Sequence, residues 1–133
     1  VRASRLALDE GVYYAHFLIL GGYGDTRENV RETIENSRRM EYTVMFPYAG
    51  MRIYPHTRLA ELAAKEGAIG RDDDLMAPSY YISRDFDLEE VRRAALATGK
   101  AWVFPDDPQS ALADTLRLKR NKKGPLWEYL RKP

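Results

Sequence analysis

Hydrophobic positions fall into short blocks with two different periods, and the two kinds of block alternate along the chain. Ser4 to Glu10 are good helix formers, and Gly11 stands where a left-handed cap would stop them. Val12 to Leu20 is nearly continuously apolar, as a parallel strand buried on both faces requires. That run breaks at Gly21, Gly22 and Gly24. Asp25 then reads as an N-cap with Glu28 three residues on, the spacing of a capping box, and Val30, Ile34 and Met40 give a buried stripe to a helix over Thr26 to Arg39.

Tyr42 to Phe46 and Met51 to Tyr54 read as extended pieces, interrupted by Pro47 and Gly50 and ended by Pro55. Thr57 caps a third helix, Arg58 to Glu66, with Leu59, Leu62 and Ala63 on one face and Gly67 at its exit. Ala68 to Ser83 is a long connection ending in a short strand. Asp87 and Glu90 open a helix over Leu88 to Thr98, and Gly99 closes it. A short apolar piece, Ala101 to Phe104, precedes Asp107 and Pro108, which read as the cap and first residue of a helix to about Lys119; Pro125 to Leu130 reads as a last helical turn. Helix and strand alternate quickly, so the expected fold class is α/β with a parallel sheet. Two or three parallel strands leave open edges, so more strands are expected from a longer chain or from a second copy. The start at Val1, with a helical pattern already under way, also suggests a longer polypeptide.

Composition changes this picture in one place. The 133 residues carry 21 basic and 20 acidic side chains, a net charge of +1, with 44% hydrophobic residues. That balance gives no general reason to expect nucleic acid, and the basic residues near the C-terminus, from Arg117 to Lys132, read as a solvated face. No apolar run approaches the roughly 20 residues of a membrane helix, and no signal-peptide pattern is present, so a cytoplasmic protein is expected. The absence of cysteine is more restrictive. It removes thiolate zinc sites, cysteine nucleophiles and cysteine-ligated iron–sulfur clusters from this chain.

Two segments could carry chemistry. In Phe17 to Asn29 a strand runs into glycines and then a helix, where backbone can approach a ligand and helix N–H groups can meet an anion. The same glycines could serve only to make a tight bend, and their spacing matches neither the dinucleotide fingerprint nor the P-loop. In Gly50 to Thr57, Arg52 and Tyr54 alternate with Met51 and Ile53. Arg52 could hold a carboxylate or phosphate through a paired fork, or could stand exposed at a sheet margin. His16 reads as a hydrogen-bonded core residue, His56 as a turn residue, and Asp72 to Asp74 as a solvated turn lacking the oxygen spacing of a calcium loop.

The segment FLILGGYGDTRENVRETI resembles the stretch written in many radical SAM enzymes as a hydrophobic strand, G-x-P-G-E-T and a helix. The segment GMRIYPHTRLAELAAKEG is similar to the next strand and helix of those enzymes, often I-Y-P-G-T-x-L. Order and spacing agree over roughly Arg5 to Ser83, closest to the subgroup that carries an N-terminal cobalamin-binding domain. The resemblance implies that residues 1–83 are the C-terminal portion of a partial (β/α)6 barrel and that residues 84–133 are a helical extension. It also implies a parent enzyme that uses S-adenosylmethionine and a 4Fe-4S cluster, with cobalamin possible, to begin radical chemistry on a small-molecule substrate.

By the same resemblance Ile19 and Gly21 would contact the adenine, and Gly22, Gly24 and Asp25 align with the glycine and acid positions of the turn. Arg52 and Tyr54 align with positions facing the substrate pocket. Tyr23 stands where the family has proline and Asp25 where it has glutamate, and the C-x-x-x-C-x-x-C cluster motif is missing. The chain alone is therefore expected to be inactive, with the rest of the parent chain as its partner and self-association through an open edge. Two alternatives remain open: a small α/β domain binding a nucleotide or phosphate at the glycines, and a helical interaction module.

Overall fold

The computed structural model describes residues 1–105, 107 and 126–131; the helix expected between Asp107 and Lys119 lies outside them. The elements run α1 (Arg2–Asp9), β1 (His16–Leu20), α2 (Arg27–Ser37), β2 (Val44–Ala49), β3 (Met51–Ile53), α3 (Arg58–Glu66), β4 (Ser79–Tyr81), α4 (Leu88–Ala97) and β5 (Ala101–Trp102), and a 3-10 turn spans Leu126–Leu130. The fold is mixed α/β, with four α-helices among the described residues.

Three strands make a parallel sheet in the order β1-β2-β5, with Phe17 opposite Phe46 and Met45 opposite Trp102. The other two strands form a separate antiparallel pair, Arg52 opposite Tyr80, where the sequence led us to expect only parallel pairing. Gly50, with φ of 75°, turns the chain out of the parallel sheet after β2, so that β3 leaves that sheet, and β4, reached through α3 and a long connection, runs antiparallel to it.

Pro47 does not interrupt β2, contrary to the expectation from its sequence. Val103 N–H donates to Met45 O, so Met45 turns its backbone groups toward β5, and by alternation so does Pro47. Strand β5 has already ended there, so the missing N–H of proline leaves no ladder bond unmade.

Helices α2 and α4 cover one face of the parallel sheet. Leu20, Val30, Ile34, Met45, Val91, Ala95, Trp102 and Phe104 form its core. Residues 84–105 thus share the sheet and the core of the residues before them. Ile34 is 1% exposed, and burying such a side chain contributes about 1.5–3 kcal/mol. A second core of Ile53, Ala63, Leu75 and Tyr81 joins α3 to the β3–β4 pair.

The opposite face of β1 is open. The apolar run predicted burial on both faces, yet Phe17 is 69% and Ile19 59% exposed. Phe17 stacks on Phe46 at 5.1 Å and lies 6.3 Å from the ring of Tyr48, so the exposed positions form a continuous aromatic surface. The strand itself is shorter than its apolar run because Val12 to Ala15 approach it outside any ladder.

Candidate site at the C-terminal ends of the parallel strands

Three stretches of backbone far apart in sequence meet where β1 and β2 end. Gly50 N–H donates to Leu20 O at 2.7 Å, and Ser83 N–H donates to Gly21 O at 2.8 Å. The Ser83 hydroxyl donates to Asp25 O at 2.9 Å, across 58 positions of sequence. Residues 21–25, 50–51 and 83–86 are thereby tied into one unit.

Within that unit the glycines have different tasks. Gly21 has φ of 74°, and the space a side chain would need is filled by the Phe86 ring. A Cβ on Gly22 would lie 2.8 Å from Met51 Cγ, and on Gly50 it would lie 2.5 Å from Tyr81 O. These three serve the packing of the fold on itself. Gly24, with φ of 85°, faces open space: nothing lies within 4 Å of a Cβ placed there. Of the glycines in the expected cofactor loop, Gly24 alone is solvent-exposed, while Gly21 and Gly22 are buried.

Asp25 does not cap α2. Its carboxylate accepts from Gly22 N–H at 3.1 Å and closes the glycine turn. Thr26 is the N-cap: its hydroxyl accepts from Asn29 N–H, and Asn29 Oδ1 accepts from Thr26 N–H at 3.0 Å. Either Asp or Thr suits the cap by residue type. The bonding decides for Thr26, because Asn29 reaches back to it while the Asp25 carboxylate is taken up by Gly22 N–H. Helix α2 also ends at Ser37, short of Arg39.

The β3–β4 pair stands beside this turn. Met51 packs against Gly22, and the Tyr23 ring meets Tyr81 edge-on at 5.7 Å. Ile53 and Tyr81 face the α3 core, whereas Arg52, Tyr54 and Tyr80 are exposed on the other face. The Arg52 guanidinium lies 4.9 Å from the Tyr54 ring centroid. The platform beneath it is held firmly: Arg52 is in the β3–β4 ladder, and the Thr57 hydroxyl both donates to Tyr54 O at 2.7 Å and accepts from Ala60 N–H to cap α3.

The expected site residues therefore divide. Gly21, Gly22, Gly24 and Asp25 are brought together as one turn, with Ile19 on the open face of the strand that leads into it. Arg52 and Tyr54 stand on the neighbouring strand pair. Ser83, Phe86 and Met51, which the sequence reading did not select, hold the turn in place; no local pattern announces a contact 58 positions long.

The remaining candidates lie elsewhere or have structural tasks. His16, at the opposite end of β1, lies 3.4 Å from the Ser4 hydroxyl and edge-on to Tyr14, and burial pushes its pKa below the usual histidine value. His56 is exposed in the turn before α3, with φ of 62°. Asp73 and Asp74 accept from Leu75 and Met76 N–H groups at 2.9 and 3.0 Å, so their carboxylates shape a turn. Among the described residues no three metal-ligating side chains converge, and no helix is long and apolar enough to cross a membrane. No protein-family model, curated protein or solved structure matches this chain.

Proposed function

We propose that this chain is the C-terminal portion of a radical SAM enzyme barrel, and that its glycine turn is part of the S-adenosylmethionine site of the parent protein. The observation that carries the reading is the exposure of Phe17, Ile19 and Tyr48 on the face of the parallel sheet opposite α2 and α4. Among the described residues the helices packed on the parallel sheet, α2 and α4, lie on one face, while on the other face Val44 is buried and Phe17, Ile19 and Tyr48 are exposed. In a (β/α) barrel the helices lie outside and the uncovered face is the interior, with ligands at the C-terminal ends of the strands. Gly24 and Asp25 fall at those ends.

Ile19 fits an adenine contact, since it is exposed on the open face and leads directly into the turn. Gly24 fits close approach of a ligand, because the space beside it is clear. Gly21 and Gly22 would contribute only through backbone, their side-chain space being filled from within the fold. Arg52 and Tyr54 would face the substrate.

With no cysteine in the sequence, these residues do not fit a 4Fe-4S cluster, which would have to come from strands of the parent chain outside this sequence. The cofactor, when cleaved, supplies a carbon-centred radical that abstracts hydrogen; this chain's share is to bind and orient. The N-terminal cobalamin-binding domain belongs to the same proposal. The test is anaerobic reconstitution of the parent polypeptide with iron and sulfide, followed by measurement of 5′-deoxyadenosine from S-adenosylmethionine. Product from the parent and none from this chain supports the reading. A parent without a three-cysteine motif, or without product, refutes it.

A further inference from the structure

We propose that Arg52 and Tyr54 form a recognition point for an oxyanion, a carboxylate or phosphate, carried on an apolar or aromatic body. The inference rests on reading this end of the molecule as the ligand-facing one, and it adds the chemical class of what binds there.

The argument begins with the guanidinium. Stacking on Tyr54 uses one face of the planar group and leaves its N–H donors, which lie in the plane, directed outward. Among the described residues no carboxylate is in ion-pair contact with Arg52, as with Arg58 and Arg84; what sets Arg52 apart is its fixed place in the ladder, two residues before the ring it stacks on and opposite Tyr80. An arginine without an acidic neighbour, held against a ring, is set up to take a two-oxygen partner from outside through a paired fork.

The surroundings specify the rest of the ligand. Tyr80 lies directly across the ladder from Arg52, on the same face as Tyr54. Ile82, half exposed, reaches over Gly50, whose absent Cβ would lie 2.8 Å from its Cγ1. By alternation along β4, Ile82 stands on the same side as Tyr80 and adds an apolar side chain beside it. A cationic point beside an apolar and aromatic surface complements a molecule with a charged end and a flat or greasy body, not a free inorganic ion. Fixed backbone under both residues lowers the ordering cost of binding.

Phenyl phosphate and benzoate are suitable probes, with benzyl alcohol as the neutral control, titrated into the chain and followed by backbone amide and arginine side-chain NMR. Both anions should shift the signals of Arg52, Tyr54 and Tyr80, and the stronger of the two identifies the preferred oxyanion. Arg52→Gln should weaken binding about tenfold, as for the loss of a charge-assisted pair. Arg52→Lys should recover only part of it, and Tyr54→Leu should weaken it with the charge intact.

Gly24→Asn should leave anion affinity unchanged. That arm separates this proposal from the cofactor site, because a parent inactive toward S-adenosylmethionine would not alter these titrations. Undiminished binding in a folded Arg52→Gln chain, or equal shifts with benzyl alcohol, would overturn the proposal.

Discussion

The ring of Phe86 occupies the space that a side chain on Gly21 would need, and it does so at a residue whose φ of 74° already disfavours any side chain. The two effects compound. Overpacking costs about 1–3 kcal/mol and a left-handed conformation about 1 kcal/mol more for a residue with a Cβ. Gly21→Ala should therefore lower the urea midpoint by the equivalent of about 2–4 kcal/mol. Phe86→Leu in the same chain should recover part of the loss by relieving the clash, and absence of any recovery would show that the backbone angle alone is responsible.

Thr26 and Asp25 should respond differently to truncation. Thr26→Ala removes the acceptor for Asn29 N–H and should cost about 1 kcal/mol, with loss of amide protection in the first turn of α2. Asp25→Ala removes the acceptor for Gly22 N–H and should loosen the glycine turn while leaving that helical turn protected. Amide hydrogen exchange on both variants distinguishes them, and the reverse pattern would restore Asp25 as the cap.

Two titrations bound the pH range of stability. Glu90 and Glu89 N–H groups hold the Asp87 carboxyl below its usual value of 3.8. Its contribution is present above the ordinary carboxylate range and is lost as pH falls through the lowered folded value. Tyr81 is raised above 10.0, first by its hydrogen bond to Glu66 and then by burial. Its contribution is complete below 10 and is lost as pH rises through the raised value. Denaturation midpoints should thus fall at both extremes, and Tyr81→Phe should remove part of the alkaline fall alone.

Local chemistry made most elements legible in sequence. Thr57, Asp87 and Gly67 mark ends of α3 and α4 as their residue types require, and Val30 and Ile34 are buried on α2 as the helical period demands. Long-range relations were not legible. An apolar strand reads the same whether its second face meets a helix, another part of a barrel or water, so the exposure of Phe17 and Ile19 could not be inferred from their hydrophobicity. The antiparallel pairing of β3 depends on β4, which comes after α3 and a long connection, and the tasks of Gly21 and Gly22 depend on Phe86 and Met51, whose positions only the tertiary structure supplies. A glycine turn at the end of β1 was readable, but the division of labour within it was not.

The open aromatic face should drive self-association of the isolated chain, because large contiguous apolar surface is rarely left exposed to water, and β1 is also an edge strand. Phe17→Lys combined with Ile19→Lys should shift sedimentation toward the monomer. The stability cost should be limited to about 1 kcal/mol from the lost stacking on Phe46. A wild-type chain that sediments as a monomer at all concentrations would remove the argument that this face needs a partner.

Gly24 offers the sharpest test of the cofactor site, because its two possible tasks can be separated by choice of substituent. Its φ of 85° makes valine costly on backbone grounds alone, so a loss of S-adenosylmethionine binding in Gly24→Val would not distinguish strain from obstruction. Asparagine tolerates left-handed backbone far better, and with nothing within 4 Å of its Cβ it has room to stand in the folded protein. Gly24→Asn in the parent polypeptide should therefore leave the urea midpoint nearly unchanged. If the turn receives the cofactor, the added side chain will occupy the approach to the α2 N-terminus, and calorimetric affinity should fall about tenfold, or about 1.4 kcal/mol. If the glycine is there only to make the bend, affinity in the folded fraction should match wild type, and the turn would then be architecture rather than a binding site.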